Sequence, residues 1–81
     1  MLLSVKSVSN AIHPSEVVAT VDTINGEVSL VLDRMDVVGN AIKIGRPIAN
    51  GGDTVLVELP RETMTGLWRV RVPKESVKPA A

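Results

Sequence analysis

The chain is predicted to be all-β: a small antiparallel barrel or sandwich of five to six short strands, with a central Asn-Gly hairpin. Three observations predict it. Apolar residues recur at every second position in short runs such as TVLVEL and WRVRV, not at helical spacing. Gly, Asn and Pro interrupt those runs at near-regular intervals, in INGE, VGNA and NGGD. The apolar residues are mostly Val, Leu and Ile, with no Phe, no Tyr and a single Trp, a composition suited to pleated layers.

The clearest element is SEVVATVDTINGEVSLVLDRM, in which two β-branched runs flank Asn25-Gly26. That dipeptide suits both corners of a type I′ turn, where φ must be positive. A two-residue loop at Asn25-Gly26 predicts that Thr23 faces Val28, Val21 faces Leu30, Ala19 faces Leu32 and Val17 faces Arg34. One side of this hairpin is almost wholly apolar and the other is mixed.

Upstream, Leu3 to Val8 reads as a first strand, ended by SNAIHPSE, where Pro14 disfavours helix at His13. Downstream, Gly39-Asn40 turns the chain into AIKIGRPI, which puts Ile42, Ile44 and Ile48 in phase. Pro47 cannot donate to a ladder, so Lys43 to Ile48 is expected to be an edge strand or to bulge near Gly45. NGGD is the next turn, and Val55, Val57 and Leu59 alternate along the strand after it. PRETMTG is a polar connection with no more than one helical turn, and Gly66 is expected to start the last strand. Parity there places Trp68, Val70 and Val72 on one face and Leu67, Arg69 and Arg71 on the other. The expected core therefore includes Trp68, Val70, Val21 and Leu30, and truncating Trp68 would cost about 3–5 kcal/mol. Residues 1–73 are expected to form one β domain and 74–81 a loose polar tail.

The run GRPIANGGDTVLVEL, with spaced glycines and alternating valines, resembles part of β-clip and SAF-type modules. The resemblance covers under a quarter of the chain, and no function is carried over from it.

Eighty-one residues with an aliphatic core leave little area to bury, so self-association is expected to supplement it. The absence of Cys removes disulfides, thiolate chemistry and thiolate metal sites. No basic leader precedes the first apolar residues and Lys6 cuts that run short. Neither a signal peptide nor a membrane span is expected, and the place assigned is cytoplasmic or virion-associated. Net charge is zero but uneven: acids outnumber bases from Ser15 to Pro60, and bases outnumber acids from Arg61 onward. That split suits complementary faces, for a second copy or a charged partner.

Catalytic chemistry finds few supports. His13 is the only histidine, with Glu16 its nearest carboxylate and Ser15 close along an extended loop, so it reads as a surface corner residue. Asp22, Asp33 and Asp36 lack the density of a calcium loop. Gly51-Gly52 opens onto a strand instead of a helix N-terminus, so it reads as a turn and not a phosphate cradle. No catalytic, metal or cofactor residue is assigned, and no small-molecule substrate is evident. The expected function is a non-catalytic β module working through protein–protein contacts, such as an assembly or viral structural component, an adaptor or an inhibitor. Its binding residues are expected at Arg69, Arg71, Lys43 and Arg46. The alternative is a nucleic-acid-binding small barrel using the basic strand at Arg69 and Arg71, although stacking platforms ordinarily use several rings.

Overall fold

A computed structural model describes residues 1–79, in which every ladder is antiparallel and no α-helix occurs among the described residues. The strands are β1 (Leu2–Ser4), β2 (Ser7–Asn10), β3 (Glu16–Thr23), β4 (Gly26–Asp33), β5 (Val37–Val38), β6 (Ala41–Lys43), β7 (Ala49–Asn50), β8 (Thr54–Glu58), β9 (Arg69–Pro73) and β10 (Val77–Lys78). They make three sheets, ordered β10-β1-β6-β5, β2-β3-β4 and β7-β8-β9. Single 3-10 turns at Arg34–Asp36 and Lys74–Ser76 lead into β5 and β10.

The β3–β4 hairpin follows from alternation. Val17, Ala19 and Val21 on β3 and Leu30 and Leu32 on β4 point into the core, while Val18, Thr20 and Asp22 face away. Its register differs from the one expected. Thr23 faces Gly26, Val21 faces Val28, Ala19 faces Leu30 and Val17 faces Leu32. The cause is Thr23, whose hydroxyl accepts the Asn25 N–H at 3.1 Å and donates to the Gly26 carbonyl at 2.7 Å. This hydroxyl-capped turn closes one residue early, so the corner is Ile24-Asn25 and not Asn25-Gly26. Gly26 takes the positive φ, at 109°, and no non-glycine among the described residues has one, so the type I′ corner is not formed. Pairings move by two positions, an even slip, so every side chain keeps its expected face.

The first strand splits in two. Val5 donates to the Asn40 carbonyl of the β5–β6 turn, while Lys6 donates to the Thr20 carbonyl, already opposite Ser7. Two residues facing one is a bulge, and it bends the chain out of the β1 sheet and into the β2 sheet. The expected edge strand from Lys43 to Ile48 also breaks. β6 is an inner strand between β1 and β5, and its ladder ends near Gly45-Arg46-Pro47, where Pro47 has no N–H to offer. Ile48 is exposed instead of buried. The tail is not loose over its described part, because Val77 and Lys78 pair with Leu3 and Leu2. Ala80 and Ala81 lie outside the described residues.

All three sheets supply one aliphatic core: Leu3, Ile42 and Ile44 from the first, the hairpin residues from the second, and Val55, Val57, Leu59, Val70 and Val72 from the third. Each fully buried Val, Leu or Ile contributes roughly 1.5–3 kcal/mol. The Cα envelope measures 38 × 30 × 17 Å. Backbone bonds stitch the sheets together, Ile24 N–H to Arg71 carbonyl at 3.0 Å and Met64 N–H to Ser29 carbonyl at 2.8 Å. Trp68 is not in the core: it is 53% exposed. The ladder of β8 and β9 ends with Leu59 donating to the Trp68 carbonyl, so the ring stands at the rim where Leu59 already fills the inner face. No helix among the described residues is long and apolar enough to cross a membrane.

Candidate protein-interaction surface

Two connections hold large apolar side chains in solvent, and each is shaped by hydrogen bonds instead of burial. The first is the corner between β2 and β3. Ala11 donates to the Glu16 carbonyl and Glu16 to the His13 carbonyl, which folds residues 11–16 into a tight loop. Arg34 then clamps it: its guanidinium donates to the Asn10 side-chain carbonyl at 3.2 Å and to the Pro14 carbonyl at 3.3 Å. Arg34 N–H also donates to the Ser15 carbonyl, continuing the β3–β4 ladder past its last residue. At the tip of this clamped corner Ile12 is fully exposed.

The second is the loop between β8 and β9. Thr63 is its hub, only 4% exposed. Thr63 N–H donates to the Leu67 carbonyl at 2.8 Å, and Thr63 Oγ1 accepts the Leu67 N–H at 2.9 Å. Gly66, at φ 89°, donates to the Thr63 carbonyl, and the Thr63 and Thr65 hydroxyls lie 3.1 Å apart. Arg61 anchors the loop to β3 through Glu16 at 3.0 Å, and Met64 N–H ties it to β4 at Ser29. Buried polar groups satisfied in this way rigidify a loop. The side chains it leaves outside are Met64, Leu67 and Trp68.

The two connections meet over the outer face of the β2-β3-β4 sheet. Ile12 and Met64 wall a groove of about 430 Å³, Val18 and Val31 line its floor, and Asn10, His13 and Glu16 stand at its rim. Val18 and Val31 are direct cross-strand partners, so the floor is one ladder rung. Apolar walls, an apolar floor and a few polar rim groups match the makeup of a site that accepts an apolar side chain.

The residues expected to bind are dispersed. Lys43 and Arg46 share a separate cleft of about 480 Å³ with Glu58, Leu59 and Pro60. Arg69 is ion-paired to Glu58 at 3.2 Å, its direct cross-strand neighbour. Arg71 keeps to the face opposite Val70 and Val72 but is half-buried there: it donates to Thr54 Oγ1 at 3.2 Å and lies over the Asn50–Asp53 turn. Gly51 makes room for it, since a Cβ there would come within 2.6 Å of Arg71 Nη1. The basic strand thus spends its arginines on neighbours in the same sheet.

His13 lies beside the groove, and its Nδ1 is 2.7 Å from Ser15 Oγ and accepts the Ser15 N–H at 3.2 Å. Because a backbone N–H points at Nδ1, that nitrogen carries a lone pair and the neutral ring is protonated at Nε2. The contact closes the corner, and the ring turns Nε2 away from Ser15. Elsewhere on the face, Lys6 is ion-paired to Glu27. That hydrogen bond first, then the charges of Glu27 and Asp22, raise the Lys6 pKa above its ordinary value.

Sequence reasoning missed Ile12 and Met64 because neither belongs to an alternating run. The signals were the threonines around Met64 and the histidine and proline after Ile12, which mark hydrogen-bonded turns. Comparisons with protein-family models, with curated proteins and with solved structures give no match to this chain.

Proposed function

We propose that the protein is a non-catalytic binding module, and that its groove receives an apolar side chain from a protein partner. The observation that carries this reading is the pairing of Ile12 and Met64 as exposed walls on two separately hydrogen-bonded connections. Because the backbone beneath each wall is already fixed, docking carries the cost of ordering side chains but not of ordering the loops. In this reading the three sheets wrap as a small barrel or sandwich around the shared core, and the module serves as an assembly or viral structural component, adaptor or inhibitor in the cytoplasm or a virion.

The test is quantitative capture from native lysate with wild-type protein and with the double variant Ile12→Ser/Met64→Ser. Both residues are exposed, so the variant keeps its circular dichroism and thermal midpoint while the captured partner falls to background. Equal capture by the two proteins sinks the groove. A gel shift with single- and double-stranded nucleic acid at low and moderate salt addresses the other class. A salt-sensitive complex abolished by Arg69→Ala and Arg71→Ala would replace the protein reading with the nucleic-acid one.

A further inference from the structure

We propose that β2 is a self-pairing edge that joins two copies of the chain about a two-fold axis through Ser9. Backbone direction is the first support. Ala11 donates to the Glu16 carbonyl, the position that continues the β2–β3 register, so Ala11, Ser9 and Ser7 aim their N–H and C=O groups at β3. The alternate residues, Val8 and Asn10, therefore aim theirs outward along the last strand of the sheet.

The other edges are treated differently. The outward carbonyl of Ser29 on β4 takes the Met64 N–H, and Arg71 on β9 takes the Ile24 N–H. β5, β7 and β10 are two residues long each, too short to template a ladder. Among the described residues, β2 alone is a longer edge strand whose outward main-chain N–H and C=O groups take no backbone bond from a flanking loop; the Arg34 bond at Asn10 goes to its side chain. It also carries none of the usual guards: from Ser7 to Ile12 there is no charge and no proline.

A second copy is the occupant this edge fits. In an antiparallel pairing with Val8 opposite Asn10 of the second copy, every outward group of both strands finds a partner, and Ser9 meets Ser9 on the axis. The neighbouring registers do worse. Val8 opposite Val8 would set Asn10 against Lys6, whose N–H is already given to Thr20. Asn10 opposite Asn10 would set Val8 against Ile12, beyond the end of β2. In the chosen register Lys6 faces Ile12 and not the other Lys6, so no like charges oppose each other. The result is one continuous sheet, β4-β3-β2 joined to β2-β3-β4, with both grooves on the same face, and it rests on the edge alone and not on what the grooves bind.

Light scattering after size exclusion, across a range of loading concentrations, tests it. The wild-type chain runs as a dimer. Ser9→Lys and Ser9→Asp each place like charges directly opposite on the axis and raise the dissociation constant roughly five-fold or more. An equimolar mixture of the two restores a heterodimer. Ser9 is exposed, so both variants retain the wild-type circular dichroism. Met64→Ser, which removes a groove wall without touching β2, stays dimeric and so separates this proposal from the binding one. A wild-type monomer at the highest concentration, a dimer indifferent to either charge at Ser9, or a mixture that stays monomeric overturns it.

Discussion

The β3–β4 hairpin and the loop from Glu62 to Trp68 lie side by side, joined at Ser29 and Met64, and they are built on opposite terms. The hairpin is held by what it buries: its inward valines and leucines are among the least exposed residues of the chain, and its polar groups are ladder bonds. The loop buries one polar side chain, Thr63, and leaves Met64, Leu67 and Trp68 in solvent. Shape in the first comes from the hydrophobic effect, and shape in the second from a threonine that stands in for missing ladder bonds. Apolar character therefore does not report burial here. Alternation does so only where a ladder holds it, as the exposed Trp68 and Ile48 at the ends of their alternating runs show.

The largest expected effect comes from breaking the hairpin's side of that contrast. Leu30 is fully buried and is the direct neighbour of Ala19, so a cavity at this rung has only a methyl to relax into it. Leu30→Ala should cost about 2–5 kcal/mol, in the upper part of that range for so thin a core. Denaturant unfolding followed by circular dichroism measures it. A loss below about 1 kcal/mol would mean that the aliphatic layers can collapse on a void, and that the core is less tightly specified than its burial implies.

The loop's side is broken at its hub. Thr63→Val keeps the volume and removes the oxygen that takes the Leu67 N–H, leaving that N–H without its partner beneath the loop. A buried donor left unsatisfied costs about 1–3 kcal/mol, and since this bond is only part-buried and Leu67 is exposed, the loss should fall at the low end of that range. The loss should be local: amide exchange at Leu67 and Gly66 accelerates while the β3–β4 amides stay protected. If the hairpin amides accelerated equally, the two regions would be one cooperative unit and the contrast between them would fail.

How much of this was legible in the sequence follows the same division. Face assignments in β3, β4, β8 and β9 could be read because parity survives an even slip, and the slip itself could not, because Thr23 competes with Asn25-Gly26 for the corner through its hydroxyl. The division of Leu3–Val8 between two sheets left one mark, a phase change from Leu3 and Val5 to Val8, and a single such break in six residues does not separate a bulge from the end of a strand. At the candidate site, parity places Arg69 and Arg71 on the outer face of β9 and says nothing of what they meet there. Their engagement depends on Glu58, Thr54 and the space over Gly51, which are cross-strand and turn neighbours that pairing brings near. Ile12 and Met64 owe their position to Arg34 and Thr63, side chains whose partners are carbonyls and amides that no residue pattern announces.

Trp68 sharpens the comparison most and should change stability least. Parity puts its ring on the inner face with Val70 and Val72, and a core position would make Trp68→Ala cost about 3–5 kcal/mol. At the rim, with half its surface in water, the ring forgoes most of that burial, and the loss should be at most about 1.5 kcal/mol. The chain has no other aromatic residue, so its fluorescence reports this ring alone. Emission from the folded protein should already be red-shifted and open to acrylamide, changing little on unfolding, while circular dichroism records a full transition. A blue-shifted, shielded emission together with a loss above about 3 kcal/mol would return Trp68 to the core. The hairpin and the loop would then be built on the same terms after all.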